Sequence, residues 1–190
     1  MKLTFFCSLI YLYISGCKSP TSPTVTNPSI IPLAVGNQWI MQTSYFDTLG
    51  NLSSTNQDTI KVIGDTIIQG QKYYVMLNLY SLTFMSNRND GIYVLDVNNY
   101  QSSMFLKYPA VPNDSYSLGS THFAIASTDT LISVPKGNFH CYQYSLSDSG
   151  VIIPVYGYYS PGIGYVQQEF AYLNKPVIGV RRKLVDYSLK

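Results

Sequence analysis

The apolar positions of this chain follow two different patterns. Leu3 to Ile14 is an almost unbroken apolar run behind a basic start, Met1-Lys2. At about twelve residues the run is too short for a bilayer's hydrocarbon core, which takes about twenty. Past residue 17, apolar and polar residues alternate in short bursts between turn residues, with no sustained spacing of three and four. Trp39, Met41, Thr43 and Tyr45 alternate with Ile40, Gln42 and Ser44, which predicts a first strand with one face buried. Asp47-Thr48-Leu49-Gly50-Asn51 turns the chain into a second strand near residues 55–63, and Gly64-Asp65 marks a break or bulge. Thr66–Ile68 and Lys72–Leu77 then flank Gln69-Gly70-Gln71 as a hairpin. Asn87-Arg88-Asn89-Asp90-Gly91 separates strands at 82–85 and 92–97. Further strands are predicted at 103–108, 120–127, 129–134, 138–146, 151–159, 163–172 and 177–188, with Pro109–Asp114 as the clearest loop.

Composition narrows this pattern to a fold class. Glu169 is the only glutamate, alanine is scarce, and there are eighteen tyrosines among abundant Thr, Val and Ile. Such residues suit a pleated, half-buried surface and make weak helices. Turn signals recur about every eight to twelve residues, the spacing of a sandwich, barrel or curved meander. Successive hairpins favour antiparallel pairing, and no internal repeat points to a propeller or solenoid. The chain is therefore expected to be all-β: a single antiparallel curved meander, barrel or sandwich, with little or no helix after the N-terminal run.

That N-terminal run has its own meaning. A charged start, an apolar centre and a small-residue junction are the parts of a secretory signal peptide. Ile14-Ser15-Gly16-Cys17 resembles the lipobox of bacterial lipoproteins. The resemblance implies cleavage before Cys17 and lipidation of its thiol, with palmitate-type acyl chains anchoring the chain to a membrane, in the outer membrane of the cell envelope. Residues 18–31 are rich in Pro, Ser and Thr with almost no charge, and read as an extended tether. The expected organisation is a signal peptide over 1–16, a lipidated tether over 17–31 and a β domain over 32–190.

Charge and cysteines remove several function classes. Charged residues are 12% of the chain, without a basic stripe or acidic tail, so nucleic acid is not an expected partner. Loss of Lys2 with the signal peptide takes the formal charge from +2 to +1, too weak a field to steer a charged ligand. Of the three cysteines, Cys7 leaves with the signal peptide and Cys17 is the lipidation site, which leaves Cys141 without an intrachain partner.

A second resemblance rests on Pro32-Leu33-Ala34-Val35-Gly36-Asn37-Gln38-Trp39. This phrase is similar to the opening of a group of uncharacterised lipoproteins from Gram-negative bacteria, in which Pro-Leu-x-x-Gly-Asn-x-Trp starts the β domain. Val134-Pro135-Lys136-Gly137-Asn138-Phe139 and Ser160-Pro161-Gly162-Ile163-Gly164-Tyr165-Val166 resemble their middle and late phrases. Where Lys136 sits, the group more usually has a small residue. The resemblance implies a shared all-β fold and brings no activity or catalytic residues.

The candidate chemistry is sparse. His140 and Cys141 are adjacent, and on a strand neighbours point to opposite faces, so they are not expected to pair; His122 could reach Cys141 only through the fold. Asn87, Asn89 and Asp90 before Gly91 resemble a calcium loop, but the glycine falls fifth rather than sixth and Asn98 stands at the twelfth position, so a turn is the better reading. Gly162-Ile163-Gly164 lacks the third glycine of a nucleotide loop and reads as a turn or bulge. Asp47, Asp65, Asp90, Asp114, Asp129 and Asp148 fall where turns are expected, and only Asp58, Asp96, Glu169 and Asp186 on strands, so no carboxylate pair is nominated. With two histidines a multi-histidine zinc site is not expected, and neither metal nor cofactor is implied. The tyrosines remain. Tyr142 with Tyr144, and Tyr156 with Tyr158, each share a strand face and are the candidate ligand-facing aromatics, against the alternative of cross-strand packing. These features lead to a membrane-anchored envelope lipoprotein with a non-catalytic binding or structural role. Its partners would be the membrane through Cys17 and a glycan, lipid or envelope protein. One alternative is a carrier of a lipid or other apolar ligand in a concave sheet; another is an envelope hydrolase whose site the sequence does not reveal. Trp39 is expected to be a buried core anchor.

Overall fold

The computed structural model describes residues 28–79, 81–148, 151–172, 175 and 177–190. The expected signal peptide, Cys17 and the expected tether as far as Asn27 lie outside the described residues. The described chain forms twelve strands and, among its residues, no helix. They are β1 (Gln38–Phe46), β2 (Leu52–Ile68), β3 (Gln71–Asn78), β4 (Ser81–Arg88), β5 (Gly91–Asp96) and β6 (Gln101–Lys107), followed by β7 (Ser115–Leu118), β8 (Thr121–Val134), β9 (Gly137–Asp148), β10 (Val151–Ser160), β11 (Gly164–Ala171) and β12 (Ile178–Ser188). Every strand lies beside its sequence neighbour except at β6 and β7, and β1 also pairs antiparallel with β12. The result is one twelve-stranded antiparallel sheet curled into a nearly closed barrel, with β6 and β7 as its free edges.

Local chemistry explains the turns. Gln69 and Gly70 both take positive φ, 51° and 77°, and Ile68 pairs with Gln71, so a two-residue turn of the hand that suits strand twist closes the β2–β3 hairpin. Gly64 follows a register shift after Val62, so of the break or bulge expected at Gly64-Asp65 it is the bulge that forms, within one long strand. Residues 120–127 and 129–134 likewise form the single strand β8, with register shifts after Ile125 and Ser127. Asp65 and Asp129, and Asp148 at the end of β9, therefore lie on strands rather than in turns. The short β7 has no counterpart among the predicted strands; its alternation of Ser and apolar residues is only four positions long.

Inward positions alternate with outward ones, and the inward set is the core: Trp39, Met41, Ile60, Val62, Met76, Met85, Ile92, Leu106, Ile125, Tyr144 and Leu184 are all buried. The folded body begins earlier than Pro32. Ile30 and Ile31 are buried at 1% and 0% exposure, the Gly162 N–H donates to the Ser29 carbonyl (2.8 Å), and Ser29 Oγ donates to Asn87 Oδ1 (2.7 Å). Two adjacent isoleucines behind Pro28 thus plug the end of the barrel carrying the β4–β5 and β10–β11 turns. At the same end Asn37 is fully buried: its Nδ2 donates to the Pro32 carbonyl and its Oδ1 accepts from the Lys190 N–H.

Candidate functional site

The registers place inward residues of β8 to β12 in rows. Nearest the end opposite the plug runs Phe123–Leu146–Val155–Phe170, each paired with the next across one strand boundary. The next row runs Ile125–Tyr144–Gly157–Gln168–Arg182–Thr43. Gly157 leaves a gap in this row. The ring of Tyr159 lies over it, so closely that a Cβ on residue 157 would sit 2.6 Å from Tyr159 Cε2. Beside this pair is a cavity of about 210 Å³, walled by Phe105, Phe123, Leu146, Val155 and Phe170, with Gly157, Tyr159 and Gln168 also lining it. Its walls are apolar and its inner side carries the polar ends of Tyr159 and Gln168.

Those polar ends belong to a network buried in the barrel. Gln168 Nε2 donates to Tyr159 Oη (3.4 Å), and Gln168 Oε1 accepts from Arg182 Nη1 (3.2 Å). Arg182 Nη2 donates to Asn78 Oδ1 (3.0 Å) and is ion-paired with Asp58, whose other oxygen accepts from Thr43 Oγ1 (2.5 Å). The Arg182 and Asp58 side chains are 9% and 6% exposed, and Arg182 Nε is buried without a partner among the described residues. A buried ion pair is retained at a desolvation cost and is weak evidence for stability alone. Burial pushes the Tyr159 hydroxyl up to about 12, against the opposing effects of Gln168 and Arg182, so it remains a neutral donor at physiological pH.

The cavity lies beside the barrel's open seam. No ladder joins β6 to β7; instead Tyr116 Oη of β7 donates to the Phe105 carbonyl (2.7 Å), and Tyr144 Oη of β9 donates to the Lys107 carbonyl (2.7 Å). Tyr116 stacks on Phe123, and Phe123 meets Phe105 edge-on.

The four candidate tyrosines are divided between two faces. Tyr142 and Tyr144 point into the barrel, where Tyr144 is fully buried and meets Tyr159 edge-on at 5.7 Å. Tyr156 and Tyr158 lie on the opposite face with Cys141 and Val166. Tyr156 is the only one of the four lining the cavity. Gly157, Tyr159 and Gln168, which shape it, are not among the residues nominated from the sequence; the Gly-Tyr-Tyr run after Tyr156 is the available signal.

The other candidates have structural surroundings. His140 is exposed and Cys141 fully buried, and burial raises the Cys141 thiol to about 12, so the two do not form a nucleophile and base. His140 Nδ1 instead meets Asp129 Oδ1 at 2.5 Å on an exposed surface, and His122 Nδ1 lies 3.4 Å from Ser117 Oγ. Asn89-Asp90 is the β4–β5 turn, and a Cβ on Gly91 would overlap the Leu106 carbonyl oxygen, which explains that glycine without a metal. Among the described residues no three His, Cys, Asp or Glu side chains are grouped to hold a metal ion. Gly162-Ile163-Gly164 is a turn that seats Trp39: the indole N–H donates to the Ile163 carbonyl (2.5 Å) and the ring packs on Gly164. Glu169 accepts from Arg181 Nε (2.6 Å) and Gln167 Nε2 (3.1 Å) on the outer face, away from Asp58.

No family model matches the chain, and no curated protein matches it by sequence. Its fold is similar to a crystal structure from Bacteroides fragilis described as an exported protein with a YmcC-like fold, at a TM-score of 0.52 and 14% identity, covering 85% of this chain and 100% of that one. A lipoprotein structure from Parabacteroides distasonis aligns at a TM-score of 0.47 and 16% identity, over 85% of this chain and 99% of that one. The likeness to the first of these, at 14% identity, speaks to fold alone.

Proposed function

We propose that this protein is a lipid-anchored envelope protein, attached to the outer membrane through Cys17, that binds a small apolar ligand inside its barrel without transforming it. The carrying observation is the cavity of about 210 Å³ between Phe105, Phe123, Leu146, Val155 and Phe170, apolar in its walls and polar only at its inner side. Binding sites for small molecules have this make-up, with few polar groups fixing orientation. The lipobox-like Ile14-Ser15-Gly16-Cys17 supports the anchor, and the exported neighbour of like fold supports the envelope. A hydrolase has less support, since His122 and His140 are exposed and neither lies at the cavity.

The test uses p-xylene, an apolar probe without a hydrogen-bonding group, and the full chain carrying Cys17→Ser to keep it free of lipid. Saturation-transfer NMR should detect p-xylene binding, and Leu146→Trp, which fills the cavity, should abolish it in a protein with unchanged circular dichroism. Absent binding, or binding indifferent to Leu146→Trp, would refute the reading. The same Cys17→Ser change should remove fatty-acid labelling in cells.

A further inference from the structure

The polar side of the cavity narrows the ligand class. Tyr159 Oη accepts a hydrogen bond from Gln168 Nε2, and among the described residues no acceptor takes its proton. Buried hydroxyl groups in folded proteins rarely leave a donor unused, because the desolvation cost is then not recovered. Gln168 is in turn held by Arg182, so the chain Arg182–Gln168–Tyr159 delivers donors in one direction and strengthens the last one. The group that completes it must be an acceptor.

Around this donor the surroundings are aliphatic and aromatic. Phe123, Leu146, Val155 and Phe170 stand one row further toward the barrel end opposite the N-terminal plug. A ligand placed with an acceptor at Tyr159 would therefore lay its apolar part along that row. A cavity of roughly 150 Å³ holds benzene, so this one has room for about eight carbon atoms.

Resting on the binding function proposed above, we infer that the cavity takes a medium-chain acyl group head-first, its carbonyl or carboxylate oxygen accepting the Tyr159 hydroxyl proton and its chain lying against Phe123, Leu146, Val155 and Phe170. Arg182 provides favourable potential for a carboxylate through Gln168, while its pairing with Asp58 keeps the network neutral enough for an ester carbonyl. The acyl group can therefore come from a free fatty acid or from an esterified lipid.

Gly157 is required by the same arrangement. With any side chain there, the Tyr159 ring would have to leave its place over the β10 backbone, and the donor would move with it.

The experiment measures octanoate, methyl octanoate and p-xylene side by side on the full chain carrying Cys17→Ser, with and without Tyr159→Phe. The expected result is that Tyr159→Phe weakens octanoate, methyl octanoate or both by roughly fivefold or more relative to p-xylene, as for one buried hydrogen bond. Loss with octanoate alone identifies the free acid as the source, and loss with the ester identifies an esterified lipid. Equal affinity of wild type and variant for both acyl probes, with p-xylene still bound, would overturn the inference and leave the binding function standing; failure of p-xylene itself removes that function. If Tyr159→Phe does not fold, the infrared carbonyl stretch of methyl octanoate bound to the otherwise unaltered chain decides: a shift to lower frequency reports the hydrogen bond, and a stretch like that in hexane contradicts it.

Discussion

Trp39 joins parts of the chain that are far apart in sequence. Its ring is fully buried, meets Tyr165 edge-on at 5.4 Å, packs on Gly164 and donates to the Ile163 carbonyl. The phrases around Gly36-Asn37 and Gly162-Ile163-Gly164 are thus two halves of one packing unit. Trp39→Ala should cost about 3–5 kcal/mol, as for other aromatic truncations in cores. Native emission should be blue-shifted and poorly quenched by iodide; red, readily quenched emission would contradict the packing. The burial of Trp39 was legible from its place in the alternating pattern, whereas its partner loop, distant in sequence, was not. Asp58 illustrates the opposite difficulty. Its strand position was legible, but its pairing with Arg182 depends on the β1–β2 and β1–β12 registers together. Asp58→Ala leaves Arg182 buried without its counter-charge and should cost about 3–5 kcal/mol in chemical denaturation. A cost below about 1 kcal/mol would show that water reaches the pair.

At the scale of elements, the seam between β6 and β7 is the feature most open to test. Elsewhere strands are joined by ladders, but here Tyr116 and Tyr144 reach across to carbonyls of Phe105 and Lys107. Tyr116→Phe and Tyr144→Phe should each cost about 1 kcal/mol and, more tellingly, speed amide exchange in β6 ahead of β1 or β12. Uniform exchange across the barrel in both variants would mean that the seam is held by packing alone. Most hairpins could be read from turn residues, since Gln69-Gly70 and Asn89-Asp90 sit between alternating runs. What could not be decided was whether such a bend ends a strand or only interrupts it. Bulges near Gly64 and Ser127 look in sequence like strand ends, because one extra residue inverts the alternation in either case. The plug was hidden for another reason: Ile30 and Ile31 are two apolar residues at the end of a Pro/Ser/Thr segment, and only the open barrel end gives them somewhere to go.

For the whole molecule, the abundance of tyrosine becomes a pH dependence. Tyr159 is held at about 12, and Tyr116, Tyr144 and Tyr165 are also raised, in each case mainly by burial. A folded-state value above the unfolded one means that stability is intact below about pH 10 and lost as pH rises through the folded-state range. Denaturation midpoints should therefore be level from pH 7 to about 9 and fall steeply above about 10; a level profile to pH 11 would show these hydroxyls to be solvated. Fold class was legible because composition and alternation agree, but the joining of its two six-stranded halves into one sheet was not, since it depends on β1 meeting β12 across nearly the whole chain. The cavity was less legible still: it lies beside Gly157, where the ring of Tyr159 from further along the strand takes the place a side chain would occupy. Pressurising crystals of the protein with xenon reads out this cavity itself, because apolar cavities take up xenon and remain dry. One ordered xenon site should be found between Phe123, Leu146 and Phe170. Density for a chain of hydrogen-bonded waters there, or side chains closed into the space with no xenon bound, would contradict the account.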